Sequence, residues 1–226
     1  MITIGENINA TAKSVAQAIK DRDTDFIHNR AKVQEDAGAD YIDVNAGSGY
    51  GSQDQSIEAM EWLMDAVQQS TDKPLVIDSD DPKVIQVALA RYTGDNVIIN
   101  SVTAESERLN LIGPLAAQRQ ASLVALAMGE KGIPDNVEDR LAACDKIVTE
   151  LAKLGVPTEN IYFDALVLPI SVDPTQGMIT LNTIAQIKQR YPEAKTVVGL
   201  SNISYGLPER KLMNRTLMTM AIAKGL

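Results

Sequence analysis

Residues 74–91, PLVIDSDDPKVIQVALAR, carry in one stretch the pattern that decides the fold. A run of apolar residues of strand length ends abruptly on Asp78 and Ser79. Asp81-Pro82 then supplies a helix start, because a first-turn residue has no intrahelical N–H partner for proline to lose. Beyond it, apolar residues recur at spacings of three and four, the period of a helix with one buried face. The stretch reads as strand, short polar turn, helix.

The same order repeats along the chain. Short apolar runs predict strands at 2–5, 40–44, 74–77, 96–99, 122–127, 161–163 and 195–200. Helical periodicity predicts helices at 24–37, 54–70, 81–91, 105–119, 136–154, 177–190 and 209–224. Thr158 and Glu159 open a turn before a strand, and Gly38, Gly94 and Gly155 fall where helices should end. Alternation of this kind leaves two architectures, an open doubly wound sheet or an eight-fold α/β barrel. An open sheet concentrates functional residues at one switch point, whereas a barrel draws one or two from the C-terminal end of many strands. Here nearly every predicted strand runs into small polar residues: Glu6, Asn7 and Asn9, then Asp43 and Asn45, Asp78 and Ser79, Asn100 and Ser101, Asp164, and finally Ser201 and Asn202. The fifth strand departs, giving Met128 and Gly129. The barrel is the better reading, with residues 1–226 as one domain.

Composition bounds the function. A chain of 226 residues, 45% of them hydrophobic, can bury one large core. Thirty acidic against 21 basic residues give a net charge of −9, which argues against nucleic acid or an anionic membrane as the main partner. One cysteine, Cys144, and one histidine, His28, cannot build a thiolate or imidazole metal site, so no bound metal is expected. No basic and apolar leader and no long apolar window is visible, so a cytoplasmic protein is expected.

Any one Asp, Asn or Ser in the strand-end series is also what a helix N-cap or βα turn prefers. The set says more. Acids and amides with almost no Lys or Arg suit a neutral, planar, nitrogen-rich heterocycle, since a carboxylate accepts two parallel N–H bonds from an amino-pyrimidine edge and an amide meets ring N or C=O with either end. Pterins present such an edge.

The motifs MITIGENIN, DYIDVNAG, AMEWL, LVIDSDD, VIINSVTAE, KGIPD, IYFDALVLP and VVGLSNISYGLPERKLMNRTLM, in this order from first residue to last, resemble the methyltetrahydrofolate:corrinoid protein methyltransferases. Those are pterin-binding TIM barrels related to the folate module of cobalamin-dependent methionine synthase and, more distantly, to dihydropteroate synthase. The resemblance implies that Asp78, Asn100 and Asp164 hold the pterin edge, that Asn202 approaches N5, that Gly199 and Ser201 line the pocket, and that Arg210 belongs to a loop over the site. It makes Asn202 and Asp78 the catalytic pair, working through water. It also implies tetrahydrofolate or methyltetrahydrofolate as substrate, cobalamin carried by a separate corrinoid protein as methyl partner, and a homodimer.

The chemistry fits these residue types. N5 of methyltetrahydrofolate is a poor leaving group unless it gains a proton or a strong hydrogen bond as its bond to methyl breaks. An amide can accept from protonated N5 and, after rotating, donate to the neutral nitrogen. Dihydropteroate synthesis is disfavoured because basic residues for a pyrophosphate leaving group are absent from the strand ends. A non-catalytic folate-binding or corrinoid-docking module is the reading from another class. GSGYGS at 47–52 lacks a dinucleotide fingerprint and reads as a long βα loop. Met213, Met218 and Met220 are expected in the core, His28 on the surface and Cys144 in a buried helix face. Relatives of this kind continue with an eighth strand and helix, so the barrel is expected to lack its last unit in this chain.

Overall fold

The computed structural model describes residues 1–47 and 51–226. Gly49, in the stretch GSGYGS, lies outside the described residues. The described residues fall into two compact units, Met1–Ser101 and Val102–Leu226.

In the first unit the order is β1 (Ile4–Asn9), α1 (Lys13–Asp21), α2 (Thr24–Asp36), β2 (Tyr41–Asn45), α3 (Gln53–Gln68), β3 (Leu75–Asp78), α4 (Pro82–Arg91) and β4 (Val97–Val102). The four strands pair in chain order and all in parallel. Ile42, Val44, Leu75, Val76, Ile77, Ile98 and Ile99 are buried whichever side of the strand they face, as expected of parallel strands covered on both sides. β1 carries a bulge: Gly5 pairs with Ile42 and Ile8 with Val44, so three steps in one strand oppose two in the other. Gln34 fixes it by accepting the Asn7 N–H at 2.7 Å. A Cβ on residue 5 would sit 2.6 Å from that same Gln34 oxygen, so glycine is required there for space. The Asp81-Pro82 start behaves as its sequence says. The Asp81 carboxylate accepts the Lys83 N–H at 2.8 Å, a cap worth about 1 kcal/mol.

The second unit runs α5 (Ser106–Arg119), β5 (Ser122–Leu126), α6 (Val137–Lys153), β6 (Ile161–Asp164), α7 (Gln176–Arg190), β7 (Lys195–Val197) and α8 (Arg210–Ala223), with 3₁₀ turns at Thr158–Asn160 and Leu200–Ser204. β5, β6 and β7 are again parallel and in chain order. Phe163, fully buried, is worth about 1.5–3 kcal/mol as apolar surface removed from water.

Several expectations need correction. The helix Lys13–Asp21 is missing from the sequence reading. Glu6, Asn7, Asn9, Asp43, Asn45, Asp78, Asn100, Ser101 and Asp164 lie inside strands rather than after them, because parallel ladders extend as far as backbone partners exist, whatever the side chain. The seventh strand stops at Val197 instead of 200, and Ser201 and Asn202 sit in a 3₁₀ turn. Gly94 does not end a helix; α4 closes at Arg91 with Tyr92 as its cap. Met220 is 42% exposed, and Met213 and Met218 are half-buried, so none of the three belongs to the core. Cys144 is buried as expected, and burial pushes its thiol up to about 12. Among the described residues no helix is long and apolar enough to cross a membrane, and no group of three or more His, Cys, Asp or Glu could hold a metal ion.

Candidate active site

The first unit gathers three carboxyls. Asp43, in β2, is 1% exposed, and among the described residues its Oδ1 has no hydrogen-bond partner. Its Oδ2 accepts from the Asn100 amide at 3.4 Å. On the neighbouring strand pair Asp78 stands beside Asn100, and Asp78 Oδ2 accepts from the Asn45 amide at 2.7 Å. Burial raises the pKa of Asp43 well above the ordinary aspartate value, and the negative charges of Asp78 and Glu6 push it the same way. The Asn100 hydrogen bond opposes this only in part. Glu6 is raised as well, by desolvation of its carboxyl and then by Asp78. Loss of solvent and like charges nearby both favour the neutral form of a carboxyl. A cleft of about 270 Å³ opens at Glu6 and is lined also by Asn7, Asn9 and Arg30.

In the second unit Asp164 ends β6, half-buried, and its Oδ1 accepts the Leu166 N–H at 2.8 Å. The next residues are held by Arg140, which is fully buried. Its Nη1 donates to the carbonyls of Ala165 at 2.7 Å and Leu166 at 2.8 Å. Its other nitrogens reach the Pro134 carbonyl at 2.9 Å and Gln176 Oε1 at 3.0 Å. Burial lowers the guanidinium pKa, and the Asp164 and Asp135 carboxylates offset that.

Asn202 is exposed on the turn that follows β7. A Cβ at Gly199 would stand 2.9 Å from the Asn202 amide nitrogen, so the glycine gives that side chain room to lie back over the turn. Arg210, first residue of α8, donates to the Ser201 carbonyl at 3.0 Å and the Ser204 hydroxyl at 3.1 Å, and Ser204 Oγ lies 2.7 Å from Asn214 Oδ1. Its guanidinium therefore fastens the turn that bears Ser201 and Asn202.

Thus Asp78 and Asn100 are brought together in the first unit, and Gly199, Ser201, Asn202 and Arg210 form one local assembly in the second, where Asp164 stands at the end of β6. Two residues were not singled out for a role from sequence. Asp43 is flanked by Ile42 and Val44, and an acid between two such residues in a buried strand was the available signal. Arg140 is in phase with Cys144, Ile147 and Leu151 along the buried stripe of α6, an uncommon place for a guanidinium.

Parallel strands, each followed by one helix or more, are the βα repeat from which α/β barrels are built. A family model for pterin-binding enzymes matches residues 5–226, and the chain belongs to that family. The chain is 36% identical over 230 residues to the methylcorrinoid:tetrahydrofolate methyltransferase of Eubacterium limosum, covering 100% of this chain and 83% of that protein. It is 28% identical over 218 residues to the methionine synthase of Mycobacterium tuberculosis, covering 92% of this chain and 18% of the other. Among solved structures, the dihydropteroate synthase of Yersinia pestis with a pterin–sulfa conjugate aligns with a TM-score of 0.73 at 14% identity, covering 99% of this chain and 83% of that one. The Vibrio fischeri enzyme gives 0.73 at 17%, covering 99% and 84%. These last two speak for the fold alone. The resemblance read from the motifs is borne out.

Proposed function

We propose that this protein transfers a methyl group between N5 of tetrahydrofolate and the cobalt of a corrinoid carried by a partner protein. The observation that carries the reading is the full-length 36% identity to a methylcorrinoid:tetrahydrofolate methyltransferase. That relative's name gives the direction from cobalt to folate, and we adopt it here.

Asp78, Asn100 and Asp164 are the proposed acceptors and donors for the pterin edge, Gly199 and Ser201 line the pocket, and Asn202 follows the protonation of N5. Methylation of N5 ends with loss of its proton, and the reverse transfer requires one, so the site needs a group that holds a proton near neutrality. Asp43 is our candidate for that group, because burial first, and then two negative neighbours, favour its protonated form. The remaining carboxyls and amides suit a ring bearing both N–H and C=O groups. The corrinoid, when bound on its carrier, supplies the methyl acceptor or donor, while this chain binds and orients folate and manages the proton. A homodimer in the cytoplasm of a cell with anaerobic one-carbon metabolism belongs to the same reading.

The test is spectroscopic. Cob(I)alamin mixed with methyltetrahydrofolate and the protein should lose its Co(I) absorption and gain that of methylcob(III)alamin, and methylcobalamin with tetrahydrofolate should show the reverse. No exchange in either direction, with free cobalamin or with corrinoid proteins as carriers, would remove the function.

A further inference from the structure

Arg140 is a cation in an apolar helix face, and its bonds go almost wholly to backbone. It spans two loops: the Pro134 carbonyl before α6, and the Ala165 and Leu166 carbonyls after β6. Leu166 has φ = 61°, the left-handed region, where the Cβ of a leucine crowds the following carbonyl oxygen. The residue persists there because its polar groups are over-determined. Its N–H donates to Asp164 at 2.8 Å, and its carbonyl receives both Arg140 and the Thr180 hydroxyl, at 2.8 and 3.0 Å. Strain held this firmly directly after a proposed ligand residue points to a positioning device. The planar guanidinium serves both carbonyls from Nη1 while Nη2 anchors on the buried Gln176, a fixed fork that the single nitrogen of a lysine cannot copy.

We infer that Arg140 is a positioning residue for folate: through the Ala165–Leu166 backbone it sets the Leu166 N–H that aims the Asp164 carboxylate. This rests on the proposed function. It assigns to Arg140 an effect on ground-state binding of the pterin edge, with no part in methyl transfer itself.

Arg140→Lys keeps a charge but loses the fork. The expected result is about a tenfold rise in the folate Kd by calorimetry and in KM, with kcat within about twofold of wild type. In an Asp164→Ala background the same substitution should change Kd by less than about twofold, because the group being aimed is gone. If Arg140→Lys does not fold, Gln176→Met removes one anchor of the guanidinium and should raise Kd about threefold, again only when Asp164 is present. A lowered kcat at unchanged KM, or equal losses in both backgrounds, would mean that the residue is merely structural and would overturn the inference. Wild-type protein that binds no reduced folate would overturn the proposed function and this inference together.

Discussion

Asp43 in the first unit and Asp164 in the second are both strand aspartates in a parallel sheet, and their surroundings differ in the sign of the nearby charge. Asp43 has two acids for company and burial on top of them, which favours its protonated form. Asp164 has the buried guanidinium of Arg140 in its field, and a backbone N–H already placed on one oxygen. On the proposed function, one residue type would serve two tasks, holding a proton and presenting a fixed acceptor, with the neighbours deciding which.

The sharpest way to break this comparison is Asp43→Asn. If Asp43 handles the N5 proton, methyl transfer should fall about 10²- to 10⁴-fold in single turnovers while folate affinity stays within a few-fold. Equal losses in rate and affinity would place Asp43 with the binding residues instead. Asn202→Ala comes next. Loss of one preorganised hydrogen bond that strengthens in the transition state should lower transfer about 10²- to 10³-fold, with a smaller effect on binding, and a variant with wild-type rate would end its catalytic assignment. Asp164→Ala should do the opposite, weakening folate binding about ten- to a hundredfold by calorimetry. Unchanged affinity would remove Asp164 from the site and erase the contrast.

The smallest effect is on stability. In the unfolded chain Asp43 titrates near the ordinary value of about 3.9, and in the fold it titrates higher. Between the two values the native state holds the extra proton, so stability falls as pH rises through that window. Asp43→Asn has no such titration. Its Tm should exceed that of wild type near about pH 8, and the advantage should shrink as the pH falls towards about 4. A pH-independent difference would show that Asp43 is not the buried proton holder.

The order of strands and helices was legible because each strand is a buried apolar run and each helix has a matching period; Leu75–Asp78 followed by Pro82–Arg91 is the plainest case. Strand ends were less so. Asn100 and Ser101 look like turn residues, but their backbone still has a ladder partner, and side-chain type does not report that. Asn202 was placed at a strand end because Val198 and Leu200 extend the apolar run, while the backbone from Leu200 to Ser204 turns as 3₁₀. Among the proposed site residues, those projecting from motifs were readable, as Asp78 and Asp164 were. Arg140 was not, because its role depends on carbonyls 25 and 26 residues away that no local pattern brings to it.

The extra residue in β1 acts on the two-residue alternation like a shifted reading frame. Gly5 and Ile8 are an odd number of positions apart, yet their partners, Ile42 and Val44, are an even number apart. Deleting either Glu6 or Asn7 would restore even counting and leave Ile4, Gly5, Ile8 and Asn9 with the partners they already have. Strand pairing therefore offers no protection against a one-residue loss at this point. What such a loss would remove is Glu6, one of the two charges that bear on Asp43, or Asn7, whose N–H ties β1 to Gln34. The ladder thus accommodates either chain length at this point, and the two differ in what they set beside Asp43 and Gln34.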